Sequence, residues 1–185
     1  DLKSSKKETQ NIISQWIEKN SEYNSTCWEI DIIAKRIIAW ISNSKLTYED
    51  GGPVYRNKFN NIIKKQINHL INEIEKDEWV DNKMIGCAAI ILVGLSYNDK
   101  DGYLNSGLNL LKKIIKFSFD GYGFPKSRNI RQLNFYLKYF VLIREWLKES
   151  QNEIPEYINE SIFYLGQAYA FIWKNNKKNF LFNGN

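Results

Sequence analysis

The chain has 185 residues, of which 43% are hydrophobic and 15% aromatic, and its formal net charge is +5. This length suffices for one domain with a buried core of its own, and the composition excludes an intrinsically disordered protein. Two cysteines, Cys27 and Cys87, do not make a disulfide framework, and no Cys/His cluster has metal-ligand spacing, so neither a metal nor a cofactor is expected.

Hydrophobic residues at helical spacing predict seven helices, of which three lie in the first part of the chain. These three are predicted over Lys6 to Lys19, Glu29 to Ser42 and Val54 to Lys76. The apolar face of the first helix is expected to contain Ile12, Ile13, Trp16 and Ile17. Ser44 to Gly52 is predicted as a loop that closes before Pro53, whose fixed φ suits a first helical turn.

The other four helices are predicted over Asp81 to Tyr97, Tyr103 to Phe119, Asn129 to Glu149 and Pro155 to Lys174. The helix that begins at Asp81 is apolar nearly all round, so it is predicted to be the central one, with Cys87 in the core. Its apolar run is about half of the roughly 20 residues that cross a membrane, so no membrane partner is expected.

The pattern therefore indicates an all-α domain over residues 1–178, built of antiparallel helix pairs. Such pairs can close as a bundle, stack as a solenoid or curl into a toroid, and periodicity does not decide among these. Residues 179–185 read N-F-L-F-N-G-N, which is typical of a short strand that enters a tight hairpin turn. We expect this to be the start of a β region, truncated here, of a longer protein. Because the sequence starts at Asp1 without Met, removal of an upstream targeting segment is an open alternative.

The loop between the fifth and sixth helices combines glycine, proline, aromatic and basic residues, and we call residues 120–131 the connector. Asp120-Gly121 predicts a turn, because Gly tolerates a positive φ and Asp accepts hydrogen bonds from the amides that follow it. Ser127 or Asn129 is expected to cap the next helix. The aromatic and basic side chains exceed what a short turn needs, which indicates a binding loop.

Positive charge is concentrated around this loop. Lys112 to Lys148 contain nine basic residues against two acidic ones, so the rest of the chain is slightly acidic. The concentration favours an anionic partner, which is a polysaccharide, a nucleic acid or a membrane surface. The alternative is a solvated helix face whose lysines serve solubility. No recognition helix or aromatic RNA-binding motif is found, so nucleic acid is not the expected partner.

The order of several segments resembles the N-terminal helical domain of the heparinase II/III family of polysaccharide lyases. The segments that carry the resemblance are Arg36 to Trp40, Gln66 to Ile74, Met84 to Leu95, Asp120-Gly121 with Ser127-Arg128-Asn129, Leu142 to Arg144, and Leu181 to Gly184. Their order and spacing, not any single segment, make the case. The resemblance implies an incomplete (α/α) toroid, a C-terminal β-sandwich domain of the same full-length chain as a partner, and the bacterial periplasm or cell envelope as the location.

The resemblance also implies a reaction, which is β-elimination on an anionic polysaccharide that contains uronic acid. One residue neutralises the substrate carboxylate, a base removes the neighbouring proton, and an acid protonates the leaving oxygen. Asn82 matches the lyase asparagine that assists neutralisation, although Lys83 follows it where the lyases have His. The lyase Tyr-His pair corresponds here to Ile130 and Arg131. Tyr122 is the nearest tyrosine that can substitute, and otherwise catalysis is different or absent.

The candidate residues follow from the loop and from the resemblance. The catalytic candidates are Asn82 and Tyr122. The substrate-binding candidates are Asp120, Tyr122, Phe124, Lys126, Arg128, Asn129 and Arg131. Each has a structural alternative, which is a helix cap for Asn82, exposed cations near helix dipoles for the basic residues, and packing onto the core for the aromatic ones.

Three functional hypotheses remain open. The first is the helical domain of a polysaccharide lyase-like protein that binds an anionic glycan through the connector and has little or no activity as an isolated fragment. The second is a non-catalytic helical module that binds an anionic glycan or another polyanion. The third is a helical scaffold for nucleic acid or protein, which no motif supports.

Overall fold

A computed structural model describes residues 2–97 and 102–175, and these residues are almost entirely helical. The described part contains eight α-helices, and a short 3-10 helix over Ile74–Lys76 follows the fourth. The helices are α1 (Leu2–Asn20), α2 (Ile30–Ser42), α3 (Ser44–Thr47), α4 (Pro53–Glu73), α5 (Val80–Ser96), α6 (Tyr103–Ser118), α7 (Ile130–Glu149) and α8 (Glu156–Asn175). The all-α prediction is therefore confirmed. The predicted β region at 179–185 lies outside the described residues.

The chain divides into two compact units, and the boundary falls between Glu78 and Trp79. Unit 1 contains α1 to α4, and unit 2 contains α5 to α8. All seven predicted helices are found with ends that agree to within about one turn. The loop predicted from Ser44 is wrong in its first part, because Ser44–Thr47 forms the single turn α3. The toroid arrangement over residues 1–178 stays a prediction.

The apolar face of α4 forms the centre of unit 1, where it contacts α1 and α2. Its buried side chains include Phe59, Ile62, Ile63, Ile67 and Leu70. The prediction for α1 is right for Ile13 and Ile17, which are buried, and wrong for Ile12, which is 61% exposed. The rings of Trp16 and Trp40, which are both half-buried, meet edge to face with centroids 5.4 Å apart.

One arginine of unit 1 is committed to the interior. The Arg36 guanidinium carbon lies 3.9 Å from the centroid of the Trp16 ring. The guanidinium donates hydrogen bonds to the carbonyl oxygen of Cys27 at 2.7 Å and to Oε1 of Gln66 at 3.3 Å. Burial lowers the pKa of Arg36 below its ordinary value. These contacts hold the half-buried Arg36 side chain in place and stabilise unit 1.

In unit 2, α5 is the central helix, as its apolar sequence predicts. Every residue from Met84 to Gly94 is buried, and α5 contacts both α6 and α7. Gly94 permits a close approach of α6, because a Cβ atom there would lie 2.5 Å from the backbone nitrogen of Leu104. The Cys87 thiol lies 3.1 Å from the carbonyl oxygen of Gly107, and burial raises its pKa, so the prediction that Cys87 is a core residue is confirmed.

The last helix, α8, is buried on one side and carries large apolar side chains on the other. Ile158 and Leu165 are buried, whereas Phe163 and Phe171 are exposed. Despite such apolar faces, no helix within residues 2–97 and 102–175 has the length and hydropathy of a membrane span.

Candidate functional site

The connector begins as a short hairpin that packs on the core of unit 2. Phe119, the residue after α6, pairs with Pro125 in an isolated antiparallel bridge. The backbone amide of Asp120 donates a hydrogen bond to the carbonyl oxygen of Phe124 at 2.9 Å. The ring of Phe119 meets the buried ring of Tyr136 edge to face, with centroids 5.0 Å apart. These contacts fold the first part of the connector and anchor it to the core of unit 2.

Asp120 organises this hairpin in the way that the sequence predicts. Its Oδ1 accepts hydrogen bonds from the backbone amides of Tyr122 at 2.9 Å and Phe124 at 3.0 Å. Burial acts to raise the pKa of the Asp120 carboxyl, but these two amides and the Arg128 guanidinium together hold it below its ordinary value. Asp120 is therefore a carboxylate at neutral pH, and one of its oxygens is fully engaged in holding the turn.

Gly123 brings the hairpin against α8. The positive φ expected at Gly121 is found instead at Gly123, where φ is 77°. A Cβ atom at Gly123 would overlap the Cβ of Tyr164 on α8, so only glycine fits both the conformation and the contact. The two residues are distant in sequence, and no local pattern indicates that they meet.

Arg128 reaches back over the hairpin from a strained backbone position. Its φ is 57°, a left-handed conformation that costs a residue other than glycine roughly 1–2 kcal/mol. One guanidinium nitrogen, Nη1, lies 2.8 Å from Oδ2 of Asp120, and the guanidinium carbon lies 5.5 Å from the centroid of the Phe124 ring. The side chain nevertheless remains 61% exposed. The Asp120 side chain is only 19% exposed, so the guanidinium is the part of the pair that a ligand anion can reach.

The remaining polar candidates lie around the start of α7. Asn129 caps this helix, since its Oδ1 accepts hydrogen bonds from the amides of Arg131 at 2.9 Å and Gln132 at 3.4 Å. The cap prediction is confirmed, and the Asn129 oxygen is occupied by it. The Lys126 ammonium lies 3.4 Å from the carbonyl oxygen of Lys116, in the last turn of α6, where the helix dipole favours a cation. The side chains of Lys126 and Arg131 are exposed.

The two catalytic candidates occupy different surroundings. Tyr122 lies at the tip of the hairpin and is 82% exposed. Asn82 is the third residue of α5 and is half-buried. The N-cap position of α5 belongs to Trp79, so the alternative role of Asn82 as an N-cap is wrong.

A hydrogen-bonded network joins the first turn of α5 to the connector, and local sequence patterns gave no sign of it. Nε2 of Gln132 donates to Oδ1 of Asp81 at 2.6 Å, and the Ser127 hydroxyl donates to Oε1 of Gln132. Burial and the Asp81 carboxylate raise the pKa of Tyr136 above its ordinary value, so this phenol is neutral. Because Tyr136 is only 1% exposed, it stabilises the network from within and is not presented to a ligand.

A cleft of about 180 Å³ lies between the hairpin and α8. The hairpin side is formed by Phe119 and by connector residues that include Asp120 and Gly123, next to Ile115 of α6. The α8 side is formed by Tyr157, Glu160, Ser161, Tyr164 and Leu165. All sequence-based candidates except Asn82 lie in the connector, and none lies on the α8 side, because the contact between Gly123 and Tyr164 is tertiary.

The cleft combines aromatic rings with acidic and hydroxyl oxygens. Asp120 and Glu160 each contribute a carboxylate, and the Ser161 hydroxyl donates a hydrogen bond to the carbonyl oxygen of Tyr157 at 2.7 Å. Burial raises the pKa of Tyr157 to about 12, so its hydroxyl is neutral. No group of three or more His, Cys, Asp or Glu residues in the described part of the chain is arranged to hold a metal ion.

No protein-family model, curated protein or solved structure matches the chain. The resemblance to the heparinase II/III family therefore rests on the order of the sequence segments, and it remains a hypothesis. The connector and the adjacent cleft carry the functional interpretation.

Proposed function

We propose that the chain binds an anionic polysaccharide through the connector. The observation that carries the proposal is a set of exposed cations, with Lys126 and Arg128 on a folded, anchored loop and Arg131 in the first turn of α7. Asp120 holds the turn of this loop, and Gly123 docks it on α8. A loop that is already ordered loses less conformational entropy on binding than a mobile one, so its cations bind a ligand more effectively.

The chemistry of these side chains suits carboxylate or sulfate groups. A guanidinium donates two parallel hydrogen bonds to either group, and an ammonium adds a compact charge. Arg128 is paired with Asp120, but its side chain is 61% exposed, so a ligand anion can share the guanidinium with that carboxylate. Asp120 keeps its hydrogen bonds to the two backbone amides when this happens, and the turn is preserved.

The geometry favours binding over catalysis. β-Elimination needs a base that lies within hydrogen-bond reach of the proton next to the uronate carboxylate. Tyr122 is 82% exposed at the tip of the hairpin, so nothing holds its hydroxyl in one place against a substrate. Ile130, to which the resemblance assigns the position of the lyase tyrosine, has no acid or base group. We therefore propose a non-catalytic glycan-binding role for this chain.

A second candidate, a polysaccharide lyase completed by a further domain, is favoured by one observation. The 2.6 Å hydrogen bond between Gln132 and Asp81 brings the first turn of α5, which contains Asn82, beside the segment that follows Ser127. These are the two segments that the resemblance to the lyases singles out. An absorbance assay for the unsaturated uronate product, run with the full-length protein, separates the two roles. Product formation supports the lyase, and binding without product supports the module.

Removal of two connector arginines should abolish most of the binding. We expect the double variant Arg128→Ala/Arg131→Ala to bind heparin about tenfold more weakly or worse, because two charge-assisted contacts are lost. The measurement is the salt concentration at which the protein elutes from a heparin column, together with a binding isotherm.

The matched control is Lys64→Ala/Lys65→Ala on α4, which removes the same charge from exposed positions of unit 1. This variant should elute from the heparin column at nearly the same salt concentration as the wild type. Equal weakening in the arginine and lysine variants would mean that binding depends on net charge alone, which would overturn the proposal.

A further inference from the structure

We infer that the cleft between the hairpin and α8 is a subsite for an uncharged sugar ring, next to the connector cations that bind the charged ring. The inference rests on the proposed function and deepens it. It follows from the size of the cleft, its aromatic lining and the sign of its charges, and it assigns a role to Glu160 and Tyr164, which lie outside the connector.

The size of the cleft fits one ring. Sites for drug-sized ligands occupy roughly 300–1,000 Å³. The cleft measures about 180 Å³, which is too small for such a ligand and suits a single pyranose ring. It is bounded by Asp120 and Gly123 on the hairpin side, so a ring in the cleft lies immediately beside the cationic part of the connector.

The lining offers both kinds of contact that a sugar ring requires. Tyr157 and Tyr164 contribute aromatic surface, on which the apolar C–H side of a pyranose can pack, and the buried Phe119 lies behind them. Tyr164 is 47% exposed, so part of its ring is available to a ligand. Glu160 is exposed, and its carboxylate can accept hydrogen bonds from sugar hydroxyl groups. Hydrogen bonds to an ionised acceptor are among the stronger ones.

The charge of the lining excludes an anionic ring. A carboxylate or sulfate in the cleft would face Asp120 and Glu160, and like charges at short distance in a partly desolvated site oppose binding. Arg128 offsets the charge of Asp120 in the free protein, where the two are paired at 2.8 Å. When a ligand anion engages Arg128, this compensation weakens, and the cleft becomes less tolerant of a second anion. The preferred ligand therefore alternates charged and uncharged rings.

Two polymers test the inference. Hyaluronan alternates a uronate with an uncharged amino sugar derivative, whereas every ring of polygalacturonate carries a carboxylate. Charge density alone favours polygalacturonate for a cationic protein. We expect the wild-type chain to prefer hyaluronan by about tenfold in affinity per binding site, measured by calorimetry at one fixed ionic strength.

The variant Glu160→Gln identifies the source of this preference. It removes one cleft carboxylate and keeps the hydrogen-bonding shape, so we expect the preference for hyaluronan to fall to about threefold or less. The matched control is Glu156→Gln, which removes the same charge from an exposed position at the start of α8, away from the cleft lining, and should leave the preference unchanged.

The outcomes separate the two proposals. If the wild type binds both polymers equally, or if Glu160→Gln leaves the ratio as it was, the subsite inference is wrong and the proposed function stands. If the wild type binds neither polymer, the proposed function fails and the subsite inference fails with it.

Discussion

The substitution Gly123→Ala is expected to detach the connector from α8 and to weaken glycan binding by at least about tenfold. Alanine is strained at the positive φ of 77°, and its Cβ would overlap the Cβ of Tyr164. Neither atom can rotate away, because a Cβ position is fixed by the backbone. The hairpin must therefore move, which displaces the connector cations and changes the shape of the cleft. Calorimetric titration with hyaluronan measures the loss of binding.

The same substitution at Gly121 provides the control. A Cβ atom at Gly121 meets nothing within 4 Å, and Gly121 is not among the described residues with a positive φ. Gly121→Ala should therefore bind hyaluronan within about twofold of the wild type. Gly123→Ala should also lower the free energy of unfolding, by about 2 kcal/mol. Wild-type affinity in Gly123→Ala would show that the docked hairpin is not part of the binding site.

The second large effect is expected in the core of unit 2, where Gly94→Ala should lower the free energy of unfolding by about 2 kcal/mol. A Cβ atom at Gly94 would lie 2.5 Å from the backbone nitrogen and 2.8 Å from the Cα of Leu104, so α5 and α6 must separate. Overpacking of this kind costs about 1–3 kcal/mol, and more when backbone atoms are the obstacle. Alanine regains about 1 kcal/mol of helix propensity, which offsets only part of that cost.

The buried thiol of Cys87 gives a direct readout of this change. Because Cys87 is fully buried in unit 2, a thiol reagent reaches it only when the unit opens. A loss of about 2 kcal/mol should raise its labelling rate about thirtyfold. Cys27, which is partly exposed in unit 1, serves as the internal reference. Gly166→Ala on α8 is the control, since a Cβ there meets nothing within 4 Å, and it should stabilise the helix slightly. Unchanged labelling in Gly94→Ala would contradict the close packing of α5 on α6.

The helices could be predicted from sequence because each has a strong pattern of its own. The apolar face of α4 and the uniformly apolar α5 place their side chains where the 3.6-residue period indicates. The single turn α3 was missed, because four residues are too few to show a period. The helical spacing of Ile12 to Trp16 placed Ile12 on the apolar face, but adjacent residues on a helix point about 100° apart, and Ile13 faces inward while Ile12 is exposed.

The local chemistry of the connector was also predictable, but its tertiary contacts were not. Asp120 and Asn129 cap the backbone amides that follow them, and such bonds depend only on nearby residues. The ion pair between Asp120 and Arg128 depends on a left-handed backbone at Arg128, which is rare for arginine and leaves no sequence signal. The docking of Gly123 on Tyr164 joins residues far apart in the chain. The cleft follows from that docking, so sequence reasoning could not place it.

The ion pair between Arg128 and Asp120 affects how strongly the connector binds a ligand anion. Both residues were proposed as ligand-binding groups, and in the free protein they bind each other. The pair keeps the guanidinium over the hairpin in a defined position, which limits the entropy that a ligand must remove. A ligand anion, however, competes with Asp120 for the Arg128 guanidinium. Binding should therefore be moderate in strength and should weaken as the salt concentration rises.

The central claim is that the connector, residues 120–131, holds an anionic glycan, and amide chemical shifts test it most directly. The measurement is a titration of the isotopically labelled chain with a hyaluronan oligosaccharide, followed by heteronuclear NMR. We predict saturable shifts that are largest for the amides of residues 120–131, with smaller ones for the cleft residues of α8. Largest shifts in unit 1, or no saturable shift in the connector at millimolar ligand, would contradict the account.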